Sequence, residues 1–199
     1  MAQGPDLRQR TRERMRQEVV AVALRLFAER GFDAVTTTEI AAAAGISPRS
    51  FFRYFPTKED VVLSSLREAG ERVREALAAR PTGEPVWDSL RLAFHQLIGV
   101  PGSPAGDAAA IADIVMTSMA IQSKNAQKRE DWENILVPEI VARLPKAQRG
   151  ATVTAEDRAR AVLAAALGCV DTATRVWLRD RDADPSVILD VLMGQLRVG

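Results

Sequence analysis

The chain has 199 residues, of which 47% are hydrophobic and 27% charged, and its 27 Lys/Arg and 26 Asp/Glu leave a formal net charge of +1. This composition describes an ordinary globular protein with room for one or two domains and a substantial core. It excludes an intramolecular disulfide, because Cys169 is the only cysteine, and it shows no run of about 18 apolar residues that would span a membrane. An arginine-rich N-terminus stands where a secretion signal would carry an apolar core, so the expected location is the cytoplasm, with no membrane partner. Alanine and leucine outnumber valine and isoleucine and aromatics make up only 5%, which favours helix over sheet.

Charge is unevenly placed. Residues 1–60 carry ten Lys/Arg and eight Asp/Glu (net +2), leaving seventeen and eighteen (net −1) for residues 61–199. Arg8, Arg10, Arg12, Arg14 and Arg16 face only Asp6 and Glu13 in the first sixteen residues. Such an arm can attract phosphate or enter a minor groove, and it can equally be a solvated tail.

In chain order, the first helix is expected over 12–30, where Val19, Val20, Ala23, Leu24 and Phe27 recur on one face and Gly31 supplies the stop. Three helix starts follow in quick succession. Thr36-Thr37-Thr38-Glu39 reads as a capping box. Ser47-Pro48 pairs a cap residue with proline at the first helical position. Thr57-Lys58-Glu59-Asp60 repeats the Thr-x-x-acid pattern. Ala44-Gly45-Ile46 makes the turn between the first two, with Gly45 free to take positive φ. Helices so closely spaced must cross sharply, as in a helix-turn-helix. Further helices are expected over 58–79, 86–98, 107–123, 126–144 with a kink at Pro138, 154–179, and from Asp184-Pro185 to the end, separated by loops at 81–85, 100–106 and 145–153. The fold class is therefore all-α with about nine helices.

The segment Leu26-Phe27-Ala28-Glu29-Arg30-Gly31-Phe32-Asp33 through Phe51-Phe52-Arg53-Tyr54-Phe55-Pro56-Thr57-Lys58-Glu59 resembles the DNA-binding signature of the TetR family. The resemblance covers about residues 12–62. It implies an N-terminal three-helix DNA-binding domain over 1–62 and a helical effector-binding and dimerisation domain over 63–199. The residues themselves agree. In a recognition helix running from Ser47 to Phe55, the N-terminal residues Ser47, Pro48, Arg49 and Ser50 approach base edges, and Arg49 can reach guanine O6 and N7. Phe51 and Phe55 lie four apart and form a small core with Phe27, Ile40, Ala41 and Ile46. Arg49, Phe52 and Arg53 lie on the other face, with Tyr54 to one side. The family match implies phosphate contacts by Tyr54, Lys58, and Thr36 and Thr37 at their helix start. Phe52 departs from the family's common tyrosine. It cannot donate to phosphate, but it can pack on a thymine methyl or in the core. A solvated surface role for Arg49 and Arg53 is the alternative to base reading, and Glu39 reads as a cap.

The second domain is less informative. Trp87, Phe94, His95, Met116, Met119 and Trp132 are the candidates to line an apolar effector pocket, with plain core as the competing reading. His95 is the only histidine, so no metal site is expected. Asp171 is expected to pair with Arg175 four residues on. No catalytic constellation and no cofactor motif is present. The segment Gln127–Glu133 is loosely similar to a subgroup of these regulators responsive to acyl-CoA or other lipophilic effectors. The expectation is thus a ligand-responsive repressor, not an enzyme. It would bind a palindromic double-stranded DNA operator as a homodimer and be released by a small, lipophilic or acyl-CoA-like effector. The alternative is a helical ligand-binding or interaction protein without operator binding. The dimer is expected through 154–179 and 184–198, on Val162, Leu163, Leu167, Val170, Val191, Leu192 and Leu196.

Overall fold

A computed structural model describes residues 7–97, 105–146 and 152–196. Among them are ten helices and no strand: α1 (Leu7–Arg30), α2 (Thr37–Ala43), α3 (Pro48–Tyr54), α4 (Lys58–Ala78), α5 (Val86–Phe94), α6 (Ala105–Thr117), α7 (Met119–Ser123), α8 (Asn125–Val141), α9 (Ala155–Arg179) and α10 (Pro185–Gln195). The extra helix comes from Ser118. Its extended backbone (φ −74, ψ 115) breaks the expected 107–123 helix, and its side chain starts α7. Helix α1 begins at Leu7, so Arg8, Arg10, Arg12 and Arg14 lie along a helix and not on an irregular arm. Helix α5 stops at Phe94, short of the expected end at 98, which lies outside the described residues. Pro138 lies inside α8, which continues to Val141. Most of the expected loops 100–106 and 145–153 also fall outside the described residues.

The starts of α2, α3 and α4 follow from their caps. Thr36 accepts from the Glu39 amide at 3.2 Å, while the Thr36 amide and hydroxyl donate to Glu39 Oε2 at 2.9 and 2.7 Å. Ser47 accepts from the Ser50 amide at 3.1 Å, with Pro48 at the first helical position. Thr57 and Asp60 repeat the reciprocal box. Each cap satisfies amides that a helix start leaves open. Gly31 and Gly45 have φ of +82 and +67, the left-handed conformation that ends α1 and turns α2 into α3.

Two apolar cores result. The first holds Val19, Val20, Ala23, Leu24, Phe27, Phe32, Val35, Ile40, Ala41, Phe51, Phe55, Val61 and Val62, together with Ile114 of α6 and Ile121 of α7. The second joins α4, α5, α8, α9 and α10 through Leu77, Leu90, Phe94, Trp132, Leu136, Ile140, Leu163, Cys169, Leu189 and Met193, among others. Helix α4 belongs to both, so the expected division at residue 62 falls inside a continuous helix. Helix α8 runs parallel to α4: Lys124 bonds Asp60, Trp132 bonds Leu66 and Arg143 bonds Leu77 in the same order along both. Gly70 makes room for this. A Cβ there would stand 3.3 Å from the Trp132 ring and 3.4 Å from Ile135 Cδ1.

Because α6 and α7 contribute to the first core, Ile121→Ala should destabilise it. The expected loss is about 2–5 kcal/mol for an aliphatic side chain truncated to alanine in a packed site. Met119→Ala, at a side chain 84% exposed, should stay within about 0.5 kcal/mol of wild type. Urea unfolding of the two variants separates these outcomes.

Candidate nucleic-acid interface and effector cavity

The first core fixes which face of α3 is left for a partner. Phe51 and Phe55 are fully buried, and α3 is oriented by them. Pro48, Arg49, Phe52 and Arg53 are exposed on the opposite side, and Ser50 and Tyr54 are half-buried. Phe52 stands 52% exposed, its ring meeting Phe51 edge-on. It is therefore not a core residue. The Arg53 guanidinium lies 5.3 Å from the Tyr54 ring centroid, a contact that orients both side chains. The exposed strip of α3 thus offers two guanidinium groups and an apolar ring, the chemistry that reads guanine edges and thymine methyls.

Other sequence-derived candidates are already engaged. The Thr36 hydroxyl serves the α2 cap, Thr37 is half-buried, and Ser47 serves the α3 cap and bonds Ser50. Glu39 is a cap as expected, and it also pairs with Arg30 at 2.8 Å. The Thr36 amide and hydroxyl, with Arg30, hold its carboxyl down at about 2.

Lys58 departs most from expectation. Its ammonium donates to the carbonyl oxygens of Phe32, Asp33 and Val35 at 2.7, 3.3 and 3.1 Å and lies 4.5 Å from the Phe32 ring centroid. The side chain clasps the α1–α2 connection. The carbonyls there have no helical partner, so a cation with three donors satisfies them together. Arg16 is the residue that sequence reasoning missed. It was grouped with the basic arm, yet its Nε and Nη2 donate to Ser64 Oγ at 3.2 and 2.9 Å and its guanidinium lies 5.0 Å from the Phe55 centroid. It ties α1 to α4 and to the residue that ends α3. Only the buried partner distinguishes it from Arg8 to Arg14, and that partner lies 48 residues away.

A cavity of about 790 Å³ opens between the two cores. Its wall is drawn from α1 (Val20, Leu24), α4 (Leu66, Ala69), α6 (Ile111, Val115), α8 and α9. Of the expected lining residues, Met116 and Trp132 border it, and Trp87, Phe94, His95 and Met119 do not. Trp87 donates Nε1 to the Met193 carbonyl at 2.9 Å, Phe94 is fully buried and stacks on Trp132, and Met119 faces solvent. His95 Nε2 shares Asp190 Oδ1 with Arg91, at 2.8 and 2.7 Å. Burial raises the Asp190 pKa, but the bonds from Arg91 and His95 outweigh it and leave the carboxyl below its usual range. Trp87, Phe94 and His95 are thus engaged in packing α5 against its neighbours, and Met119 is engaged in none. Asp171 lines the cavity and forms no pair with Arg175, contrary to the spacing argument.

An exposed reading strip on a capped short helix, seated on a helix-turn-helix core, defines a DNA-binding regulator of the helix-turn-helix class. Residues 19–64 match the family model for bacterial regulatory proteins of the tetR family. The chain is 29% identical over 187 residues to the HTH-type transcriptional regulator TcmR of Streptomyces glaucescens, covering 91% of this chain and 80% of that one. Its fold is that of the fatty acid degradation regulator FadR from Bacillus halodurans (TM-score 0.62, 18% identity, 100% and 98% of the two chains). It is also that of Thermus thermophilus FadR, solved with lauroyl-CoA (TM-score 0.56, 23% identity, 91% and 92%). Residues 19–64 therefore carry a helix-turn-helix domain of the tetR type, and the chain around it is similar over most of its length to regulators of that kind.

Lys58→Met keeps the aliphatic stem and removes the three donors. It should lower stability by about 1.5–3 kcal/mol, as expected for lost hydrogen bonds to a charged group, while the salt dependence of DNA binding stays unchanged. A loss of about one unit of salt slope per monomer with no loss of stability would instead mark a phosphate contact.

Proposed function

We propose that this chain is a ligand-responsive repressor that binds a palindromic operator as a homodimer and is released by a small lipophilic effector. Residues 1–62 form the DNA-binding unit in this reading and residues 63–199 the effector-binding and dimerisation unit. The observation that carries the proposal is the double role of α6. Ile111 and Val115 line the cavity and pack against the first core, and Ile114 is buried within that core. A molecule that spreads the cavity wall therefore presses on the support of the recognition helix. Release follows if the effector favours the conformation that misplaces α3, with a coupling on the order of 1–3 kcal/mol.

Arg49 is the proposed base-reading residue, with Pro48, Phe52 and Arg53 beside it. Ser47, Ser50, Thr36, Thr37 and Tyr54 support or flank the contact, and the exposed Arg8, Arg10, Arg12 and Arg14 extend the positive surface along α1. The dimer surface is proposed on α9 and α10, on a narrower set than the apolar pattern suggested. Val187, Val191 and Leu196 are 58, 57 and 50% exposed, beside the exposed Ala161, Ala165 and Gly168 of α9. Leu163 is buried in the second core, and Leu167 and Val170 face the cavity. Small residues on one helix and branched ones on the next allow two copies to pack as four helices about a two-fold axis.

The deciding measurement is fluorescence anisotropy with DNA from upstream of the chain's own gene, with and without a panel of lipophiles that includes acyl-CoA thioesters. Binding that a lipophile reverses supports the proposal; a failure to bind any duplex selected from a random pool removes it.

Two variants test its parts. Arg49→Ala should lose about 1–3 kcal/mol for one base pair per half-site and relax preference there, leaving other positions unchanged. Val191→Glu should give a monomer by sedimentation velocity and weaken operator binding with it, because each half-site then binds alone.

A further inference from the structure

The charges in the cavity wall are not arranged at random with respect to depth. Glu68 of α4 and Asp171 of α9 are half-buried there, with Lys128 of α8, while Arg72, Arg129 and Arg181 stand exposed at the margin. Two of these arginines are occupied. Arg129 faces Glu133 at 3.6 Å, and Arg181 lies 4.7 Å from the Trp177 centroid.

Glu68 and Asp171 make no side-chain hydrogen bond or ion pair with another described residue, and Glu68 meets Arg72 and Arg16 only through their charge. Four other half-buried carboxylates are matched, Asp60 by Lys124, Glu84 by Arg80, Glu139 by Arg143 and Asp190 by Arg91, and what sets Glu68 and Asp171 apart is that both border one cavity. A carboxylate taken partly out of water without a partner carries an uncompensated desolvation cost. At Glu68 that cost is visible. Burial, and then the charge of Glu13 on α1, raise its pKa above the ordinary glutamate value, while Arg72 and Arg16 oppose them at longer range. Much of the remaining wall is apolar, with Lys128 its one half-buried cation, and two indole rings, Trp132 and Trp177, border the same space. Indole faces attract cations, as the Arg181 contact on Trp177 already illustrates.

We propose that the cavity selects a lipophilic cation, a protonated amine or an onium ion with apolar substituents, with Glu68 and Asp171 supplying the counter-charge and the tryptophans the aromatic wall. The inference rests on the reading of this cavity as the effector site and narrows the effector's class. A cation there would give the two carboxylates the partner that the protein withholds, and its apolar groups would cover Leu24, Leu66 and Val115.

The test uses the full-length protein and three probes: tetraphenylphosphonium, neutral triphenylphosphine oxide, and lauroyl-CoA. Binding is read by tryptophan fluorescence and by calorimetry, for wild type, Glu68→Gln and Asp171→Asn. Both substitutions keep side-chain size, and circular dichroism checks the fold. The expected result is that the phosphonium binds wild type at least about tenfold more tightly than the neutral oxide, with each variant losing about ten- to a hundredfold for the cation, as when a charge-assisted contact is removed, and none for the oxide. Tighter binding of the oxide or of lauroyl-CoA, or unchanged cation affinity in both variants, overturns the charge selection and leaves the effector cavity standing. No binding of any probe overturns both.

Discussion

Helices α2 and α3 have seven residues each, too short to be stable alone. Everything the protein presents to a partner at its N-terminal end depends on burying their apolar faces against something larger. The first core does this only with borrowed material. Helix α1 supplies Phe27 and its neighbours, and α6 and α7 supply Ile114 and Ile121. At 25 cal/mol per Å² of apolar surface, each fully buried aliphatic side chain contributes about 1.5–3 kcal/mol, a large share of what a small three-helix unit can muster. The recognition helix is therefore held in place partly by the half of the chain that encloses the cavity. Sensitivity of one to the other is a consequence of how the short helices are stabilised.

The polar contacts around that core reinforce the same dependence. Asp60 uses one carboxylate oxygen to cap the start of α4 through Thr57, and the other accepts from Lys124 at 2.8 Å, where α7 meets α8. Burial raises the Asp60 pKa, and Lys124 and Thr57 outweigh it, so the carboxyl titrates below its usual range. Its contribution is present above the ordinary aspartate pKa and is lost as pH falls through the lowered one. Arg16 and Lys58 work from the other side, Arg16 against Ser64 and Phe55, Lys58 against the carbonyls after α1. The start of α4 is thus fastened to α1, to the α1–α2 connection and to the α7–α8 junction within a few residues.

What could be read from the sequence was what depends on neighbours in the chain. Thr36 with Glu39, Ser47 with Pro48, Thr57 with Asp60, and the glycines at 31 and 45 each act within one turn, so their local chemistry sufficed. The inward face of Phe51 and Phe55 followed from helical spacing. Of the effector candidates, Met116 and Trp132 border the cavity and the other four do not, because a large side chain on an apolar stripe has two destinations that spacing does not separate. Trp87 and Phe94 went into packing, and Met119 went to solvent. The Lys58 clasp was hidden for a different reason: carbonyls 23 to 26 residues away in the chain accept from its ammonium, and nothing local announces them. Asp171 looked paired by i,i+4 spacing and is not, because its side of α9 faces the cavity.

That last case shows how the cavity differs from the cores on either side. Packed interiors match each polar group with a partner, since an orphan costs more than a well-made contact returns. Here the wall brings two half-buried carboxylates, Glu68 and Asp171, to one space without a partner among the described residues. The cavity also sits where α1, α4 and α6 each have one face in the DNA-binding core and another in the wall. A ligand that supplies the missing partner gains most in whichever arrangement of those three helices best fits it. By reciprocity, DNA that selects one placement of α3 must change the cavity's affinity by the same factor. Filling the cavity with leucine would make a more stable protein, and one without that shared wall.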